Sequence, residues 1–576
     1  MERSSVRSYC LLISLYGQDC AGVYVKLGRM IGYLLAACPI AAAAYWASFA
    51  ARMPEPLADR VALGEVTPRW DLANWADAIQ EPMHVLARGL HLLTLQVPGA
   101  TVQSVVWVNV LIALLILTGL CDLVRRAFSS ASGRGPLAFG VFGVLVCSPA
   151  FGCNWLYGER VGLLAVPLLL VTSMGWLQGQ SRFSLRAVFA CCVAAVAPLF
   201  HWHGIIVATA LMPAMFGAAT VAASGRRVIW LGALFTIGCI AAVFSVSTTD
   251  SLSVPGVDWW GTIRSQPTEA LLDMFVATSN AWVDLWPDTR LDDQLVGGLC
   301  WLLPFVLLFC GNRSAAARAV AAPFWSCVLF GLLVLVVNGV RYNFDPPVGS
   351  FRESTFGAFL LPVGLIGLMA ARFGTMWLAI GAGAIVVLGS QDWHRGVEAL
   401  RLSSMRVQQV EAGLMVPLSA GLTNSLPVKS EEEFAQLVAR KWIPAIHRLS
   451  DDDLLPQFDE AGFDRLGAML GGRNSQLGVP IAAEGRIRSS LRGVTAQCVA
   501  VLCKQTPLSN PIVIGYAWPK FDGVGRDVSW TVKFVKTLTQ KAQVRAVGLD
   551  VTKNAFRAMG PSFVMKENQG LVRSGE

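Results

Sequence analysis

Charge is what this sequence has least of. Asp, Glu, Lys and Arg supply 15% of its 576 residues, well below the roughly 25% usual in soluble domains. Hydrophobic residues supply 54% and the mean hydropathy is +0.53, which excludes a wholly water-soluble chain. Metal ribbons are excluded as well. None of the 14 Cys stands in a CxxC pair, and Cys191, Cys192, Cys239, Cys300 and Cys310 lie inside apolar runs as small packing residues. The net charge of +8 does not argue for nucleic acid. The arginines of the first two thirds come in scattered pairs between apolar runs, a pattern that speaks of membrane topology. Before residue 29 the one apolar stretch is CLLISLYG, too short to span and soon followed by Asp19 and Lys26. Residues 1–29 read as a cytoplasmic tail, not a cleaved signal.

What is present is a series of long apolar runs. A spanning helix needs about 20 apolar residues. Runs near 30–51, 102–120, 136–153, 161–178, 184–200, 203–223, 228–247, 294–311, 317–340, 355–371 and 375–391 qualify, about eleven in all. Lys and Arg in short connections favour the cytoplasm. Lys26 and Arg29, then Arg125, Arg126 and Arg134, Arg182 and Arg186, Arg226 and Arg227, Arg313 and Arg318, and Arg372 fall at every second connection. This places the N-terminus inside and the chain after residue 392 outside, in a bacterial inner (plasma) membrane.

From Gln391 the character changes, with charged stretches such as EEEFAQLVARKW followed by the alternating VSWTVKFV and QVRAVGLDV. Helices followed by strands suggest a small α/β domain. The expected architecture is an α-helical polytopic membrane protein with about 11 transmembrane helices and a C-terminal extracytoplasmic α/β domain. Its parts are a tail at 1–29, a multi-span domain at 30–391 with outer loops at 52–100 and 248–293, and a soluble domain at 392–576. Cys498 and Cys503 are candidates for a disulfide if that domain lies in an oxidising compartment, although on a helix their spacing would point them apart.

The outer side, loops and C-terminal region together, holds all six His, while the span interiors are almost free of charge. In the first outer loop, Leu72, Trp75, Ile79, Met83, Leu86, Leu90 and Leu93 form a stripe at helical spacing, with Asp71 at the N-cap position and Pro82 as a break. The stripe reads as a helix in the interface plane, holding Asp71, Asp77 and Glu81 near the headgroups, where a carboxylate can act as a general base or merely cap and solvate the helix. The second, FGCNWLYGERVG at 151–162, fixes Glu159 and Arg160 against two helix ends, with Trp155 and Tyr157 as anchors. The carboxylate can take a proton or hold a divalent ion, and the guanidinium can neutralise a phosphate; a helix-end salt bridge is the plainer reading. In the tight FHWHG turn, His201 and His203 face one way if extended, toward a phosphate or a metal, although two ligands do not make a zinc site. VRYNFDPPVGSFRES adds Arg341, Tyr342 and Arg352, whose cationic forks suit a pyrophosphate.

This arrangement resembles the GT-C superfamily of integral membrane glycosyltransferases, as architecture across essentially the whole chain and not by a specific motif. The resemblance implies a polyprenyl-phosphate-linked sugar as donor, membrane lipid around it, a glycan, lipid or protein acceptor, and no nucleic acid. It implies a catalytic acid among Asp59, Asp71 and Asp77, assisted by Glu159 directly or through a divalent cation such as Mg or Mn. Arg160, His201, His203, Arg341, Tyr342 and Arg352 would bind substrate. Two other classes fit the same topology. One is a cell-envelope polysaccharide polymerase or ligase, in which outer Arg and His would matter more than carboxylates. The other is a non-enzymatic transporter or assembly scaffold, against which stand the charge-poor spans and the polar short loops.

Overall fold

The computed structural model describes residues 85–97, 102–128, 142–148, 154–155, 160–178, 184–221, 264–280, 290–309, 315–341, 356–373, 467–473, 482–490, 493–494, 496–519, 527–533, 541–550, 555–566 and 570–573, with single positions between 30 and 45, between 377 and 397, and at 412, 416 and 538. The chain divides into two compact units with a boundary between Val397 and Glu398.

The first unit is helical. Its helices are α1 (Val85–Gln96), α2 (Val102–Ala127), α3 (Val161–Leu177), α4 (Leu185–Val196), α5 (Ile205–Val221), α6 (Pro267–Asn280), α7 (Arg290–Phe309), α8 (Ala315–Arg341) and α9 (Leu360–Phe373), with 3-10 turns at Ala197–Leu199, Trp202–Gly204 and Phe356–Phe359. Among the described residues three stretches are long and apolar enough to cross a membrane: Val106–Ala127, Ala317–Asn338 and Phe356–Phe373. Val161–Leu177, Leu185–Leu199, Trp202–Gly217 and Gln294–Phe309 are apolar but shorter. The expected spans at 30–51, 136–153, 228–247 and 375–391 lie wholly or largely outside the described residues.

Small residues set the helix packing. A Cβ on Gly217 of α5 would strike Ala322 of α8, and one on Gly364 or Gly367 of α9 would strike Val328 or Phe324 of α8. Without a hydrophobic driving force in lipid, close backbone approach of this kind is the main source of helix cohesion. Pro213 disturbs the ladder of α5, and the next N–H, of Ala214, donates to Ser326 Oγ at 3.1 Å. A freed backbone group in an apolar surround is thereby satisfied.

These contacts also give the helix directions. Gly217 meets Ala322 and Ala214 meets Ser326, so α5 and α8 run antiparallel; Gly331 meets Leu361 and Gly364 meets Val328, so α8 and α9 do too. Ser173 Oγ donates to Ala190 O at 3.0 Å and the Trp176 ring meets Phe189 edge-on, which makes α3 and α4 antiparallel. Helices α2 and α3 run parallel, since a Cβ on Gly119 would strike Val171 and, further along both, Arg126 Nη1 donates to Gly175 O at 2.9 Å. One end of the unit therefore carries Arg125, Arg126, Arg186, Arg318 and Arg372. The other carries the starts of α3, α5 and α9 and the end of α8.

The second unit consists, from residue 467 on, of antiparallel strands: β1 (Gly467–Arg473), β2 (Ala482–Ser490), β3 (Gly493–Val494), β4 (Cys498–Lys504), β5 (Ile512–Ala517), β6 (Asp527–Lys533), β7 (Gln543–Asp550), β8 (Ala555–Lys566) and β9 (Gly570–Arg573). Strand β2 pairs with β1, β3 and β6 in one sheet, and β5-β4-β7-β8-β9 is the order of the other. The two sheets share a core in which Trp530 is fully buried among Ile487, Val501, Val544, Met559 and Phe563. Gly485 stands opposite Trp530 on one side and Met469 on the other. The stretches VSWTVKFV and QVRAVGLDV supply β6 and β7; the helical half of the expected α/β domain, around EEEFAQLVARKW, lies outside the described residues.

Alternation along β4 decides the cysteine question. Cys498, Ala500 and Leu502 pack with Ala412 and Val416, while Val499, Val501 and Cys503 face the other sheet. An odd spacing on a strand puts Cys498 and Cys503 on opposite faces, about 16 Å apart along the chain. They are free thiols, so the candidate disulfide is ruled out by strand geometry rather than by the helix geometry first considered.

Candidate functional site

The end of the helical unit away from the arginine pairs brings polar groups together. Asn109, buried in α2, donates through Nδ2 to the carbonyls of Asn154 and Trp155, each at 3.4 Å. The Trp155 indole is buried and meets the Phe356 ring edge-on, with centroids 6.0 Å apart. Asn154 is fully buried as well, and among the described residues neither its amide oxygen nor its amide nitrogen has a hydrogen-bond partner, nor has Trp155 Nε1. Buried amide atoms left unsatisfied cost on the order of 1–3 kcal/mol each.

Arg160 is the N-cap of α3 and makes no capping hydrogen bond. A guanidinium at a helix N-terminus opposes the helix dipole and supplies no acceptor to the first N–H groups. Helix capping therefore does not account for Arg at this position. Two residues on, a Cβ at Gly162 would meet the Phe200 carbonyl and Ala87 of α1. Glycine thus lets the FHWHG turn and α1 close on the start of α3.

The turn itself is compact. His201 caps the 3-10 helix, its Nδ1 accepting the His203 N–H at 3.2 Å, and its ring lies 4.6 Å from that of His203. Gly204 packs against the Ala197 carbonyl so tightly that no Cβ fits. His203 is 2% exposed, and its Nε2 lies 3.0 Å from Asn338 Nδ2. The same Nδ2 donates to Val334 O at 3.0 Å, so it is an NH2 group and the histidine nitrogen is the acceptor. That arrangement uses the His203 tautomer with its proton on Nδ1.

The two histidines, expected to face a metal or a phosphate, are thus committed differently. His203 is braced inside the bundle by α8, and His201 holds the turn while its ring stays half exposed. With Nδ1 of one and Nε2 of the other engaged in protein hydrogen bonds, the pair does not fit a shared divalent ion. Among the described residues no group of three or more His, Cys, Asp or Glu could hold one.

Of the remaining candidates, Arg341 is the last residue of α8, one turn beyond Asn338. Asp71, Asp77, Glu159, Tyr342 and Arg352 lie outside the described residues. The sequence reading missed Asn109, Asn154 and Asn338. A lone Asn inside VNVLIALL or VVNGVR was the available signal, since polar groups within apolar spans face the bundle interior.

No protein-family model matches the chain, and comparison with curated proteins finds no match.

Proposed function

We propose that the protein is a membrane glycosyltransferase of GT-C type, which moves a sugar from a polyprenyl-phosphate donor to an acceptor at the end of the bundle that holds Arg160 and the FHWHG turn. The observation that carries this reading is the clustering of Asn109, Asn154, Arg160, His201, His203 and Asn338 at one helix end, opposite the end rich in arginine pairs. With the arginine-rich end in the cytoplasm, the cluster belongs at the outer surface, where a lipid-linked donor can present its headgroup.

In the proposed reaction the acceptor oxygen attacks the anomeric carbon, forming the new C–O bond as the bond from that carbon to the phosphate oxygen breaks. The lipid phosphate leaves with the electron pair, and a carboxylate takes the acceptor proton. Glu159, adjacent to Arg160 in sequence, and Asp71 are the assigned carboxylates. Arg160 stabilises the charge gathering on the departing phosphate. His201, half exposed in the turn that closes on the start of α3, contributes its Nε2–H, because its Nδ1 is already an acceptor. His203 and Asn338 position the turn.

The polymerase or ligase reading differs in expecting the Arg and His of the cluster to matter more than its carboxylates. Mass spectrometry of lipid-linked glycans, in cells carrying equal amounts of wild-type, Glu159→Gln, Asp71→Asn or Arg160→Gln protein, separates the two. A transferase with a carboxylate base loses about 10²–10⁴-fold in at least one acid variant, with a lipid-linked precursor accumulating. Loss in Arg160→Gln alone moves the assignment to the ligase class. Unchanged glycans in all three overturn both.

A further inference from the structure

At the opposite end of the same helices, α5, α7, α8 and α9 enclose an open groove of about 860 Å³. Its wall is apolar, with Phe216, Pro304, Leu308 and Trp325 among the lining residues, and its charged lining residues are Arg318 and Arg372. Among the described residues no carboxylate lines it. Both arginines are exposed. Arg372 ends α9, where a cation also suits the helix dipole; Arg318 lies in the first turn of α8, where a cation opposes it. The groove opens on the outer surface of α7, whose Leu302, Phe305, Leu308 and Phe309 are exposed. An apolar slot leading from hydrocarbon to two guanidinium groups has the shape and charge of a lipid with an anionic head.

We propose that this groove is a binding site for an anionic phospholipid, with an acyl chain along the α5 and α7 wall and the phosphate at Arg318 and Arg372. Basic pockets between membrane helices hold such headgroups, each cation contributing about 1 kcal/mol near the surface, or about a fivefold change in binding. The groove sits at the far end of the helices from the Arg160 cluster, so the proposal goes beyond the glycosyltransferase reading and stands whether or not that reading survives.

The test is native mass spectrometry of the full-length protein released from nanodiscs of phosphatidylcholine with added phosphatidylglycerol. Wild-type protein is expected to retain phosphatidylglycerol over phosphatidylcholine of the same chain length. Arg318→Gln and Arg372→Gln are each expected to lower that retention about fivefold, and together about 25-fold. Arg318→Lys is expected to keep most of it. Arg186→Gln, a change at the same helix end away from the groove, should leave it intact. Equal retention of the two lipids, an Arg186→Gln loss as large as that of the groove variants, or displacement of phosphatidylglycerol by polyprenyl phosphate would each overturn the proposal.

Discussion

Helix α7 and the β unit bury opposite things. Along α7, Leu295, Leu299, Leu302, Phe305 and Phe309 are exposed at steps of three and four, an outward apolar stripe that in water would be a liability. Among the described residues of the β unit the exposed large apolar side chains are Leu508 and Ile512, and the Trp, Phe, Met and Val side chains point inward. The helices gain nothing by hiding Leu from lipid, so glycines and alanines hold them together by close approach. The strands gain about 25 cal/mol for each Å² of apolar surface removed from water. One chain thus uses two rules of cohesion, because its two units face different solvents.

The sharpest way to break this comparison is to remove one large side chain from each region. Trp530→Ala leaves a cavity between the sheets and is expected to cost about 3–5 kcal/mol. A thermal melt of the full chain in micelles, followed by proteolysis within the β unit, should show the shift. Phe309→Ala, at a side chain 87% exposed, should move the same melt by no more than about 0.5 kcal/mol. A large loss at Phe309 would mean that its face is packed against something other than lipid.

Glycine sharpens the contrast at smaller scale. In the helical unit Gly204 is required by space, because a Cβ would collide with the Ala197 carbonyl. Gly204→Ala should cost about 1–3 kcal/mol and disturb the FHWHG turn. In the β unit Gly560 is required by backbone conformation, with φ +70 at the bulge before Pro561 and no tight contact. Gly560→Ala should cost about 1–2 kcal/mol and leave the glycan profile unchanged.

The smallest effect is chemical. Burial pushes the Cys503 thiol up from its ordinary value of 9.0 to about 11, and Cys498 is pushed up as well. A thiol whose folded pKa is raised favours the native state fully below pH 9, and that contribution is lost as the pH rises from about 9 through about 11. The β unit should therefore loosen across that window, and Cys503→Ala should flatten the slope. Alkylation of both cysteines in the native protein should be slow at pH 8, with no mass change on reduction.

Several elements were legible before any fold was known. The α8 and α9 spans, the breaks around FHWHG and the strands β6 and β7 follow from hydrophobic runs and alternation, which are local properties of the chain. The seven further strands were less so, because sequences such as GAMLGGR and AAEGRIRSS are rich in Gly, Ala and Arg and carry little period-two signal. Their pairing with neighbours distant in sequence makes them strands. At the candidate site, His201, His203 and Arg160 were legible as polar groups at run ends. Asn109 and Asn338 were not, since a single amide in an apolar run says nothing about what it will meet.

By itself the sequence determined that this chain has apolar helices long enough to cross a membrane, that its charges lie between them, and where its glycines and prolines interrupt them, since composition and spacing act within a few turns of chain. Tertiary structure alone decided that Asn338 would hold His203 across 135 residues of sequence, that Cys498 and Cys503 would face opposite ways, and that Arg318 and Arg372 would share one groove. Those outcomes depend on which helices and strands become neighbours, and hydrogen bonds and charges act only over the few ångströms that such neighbours provide.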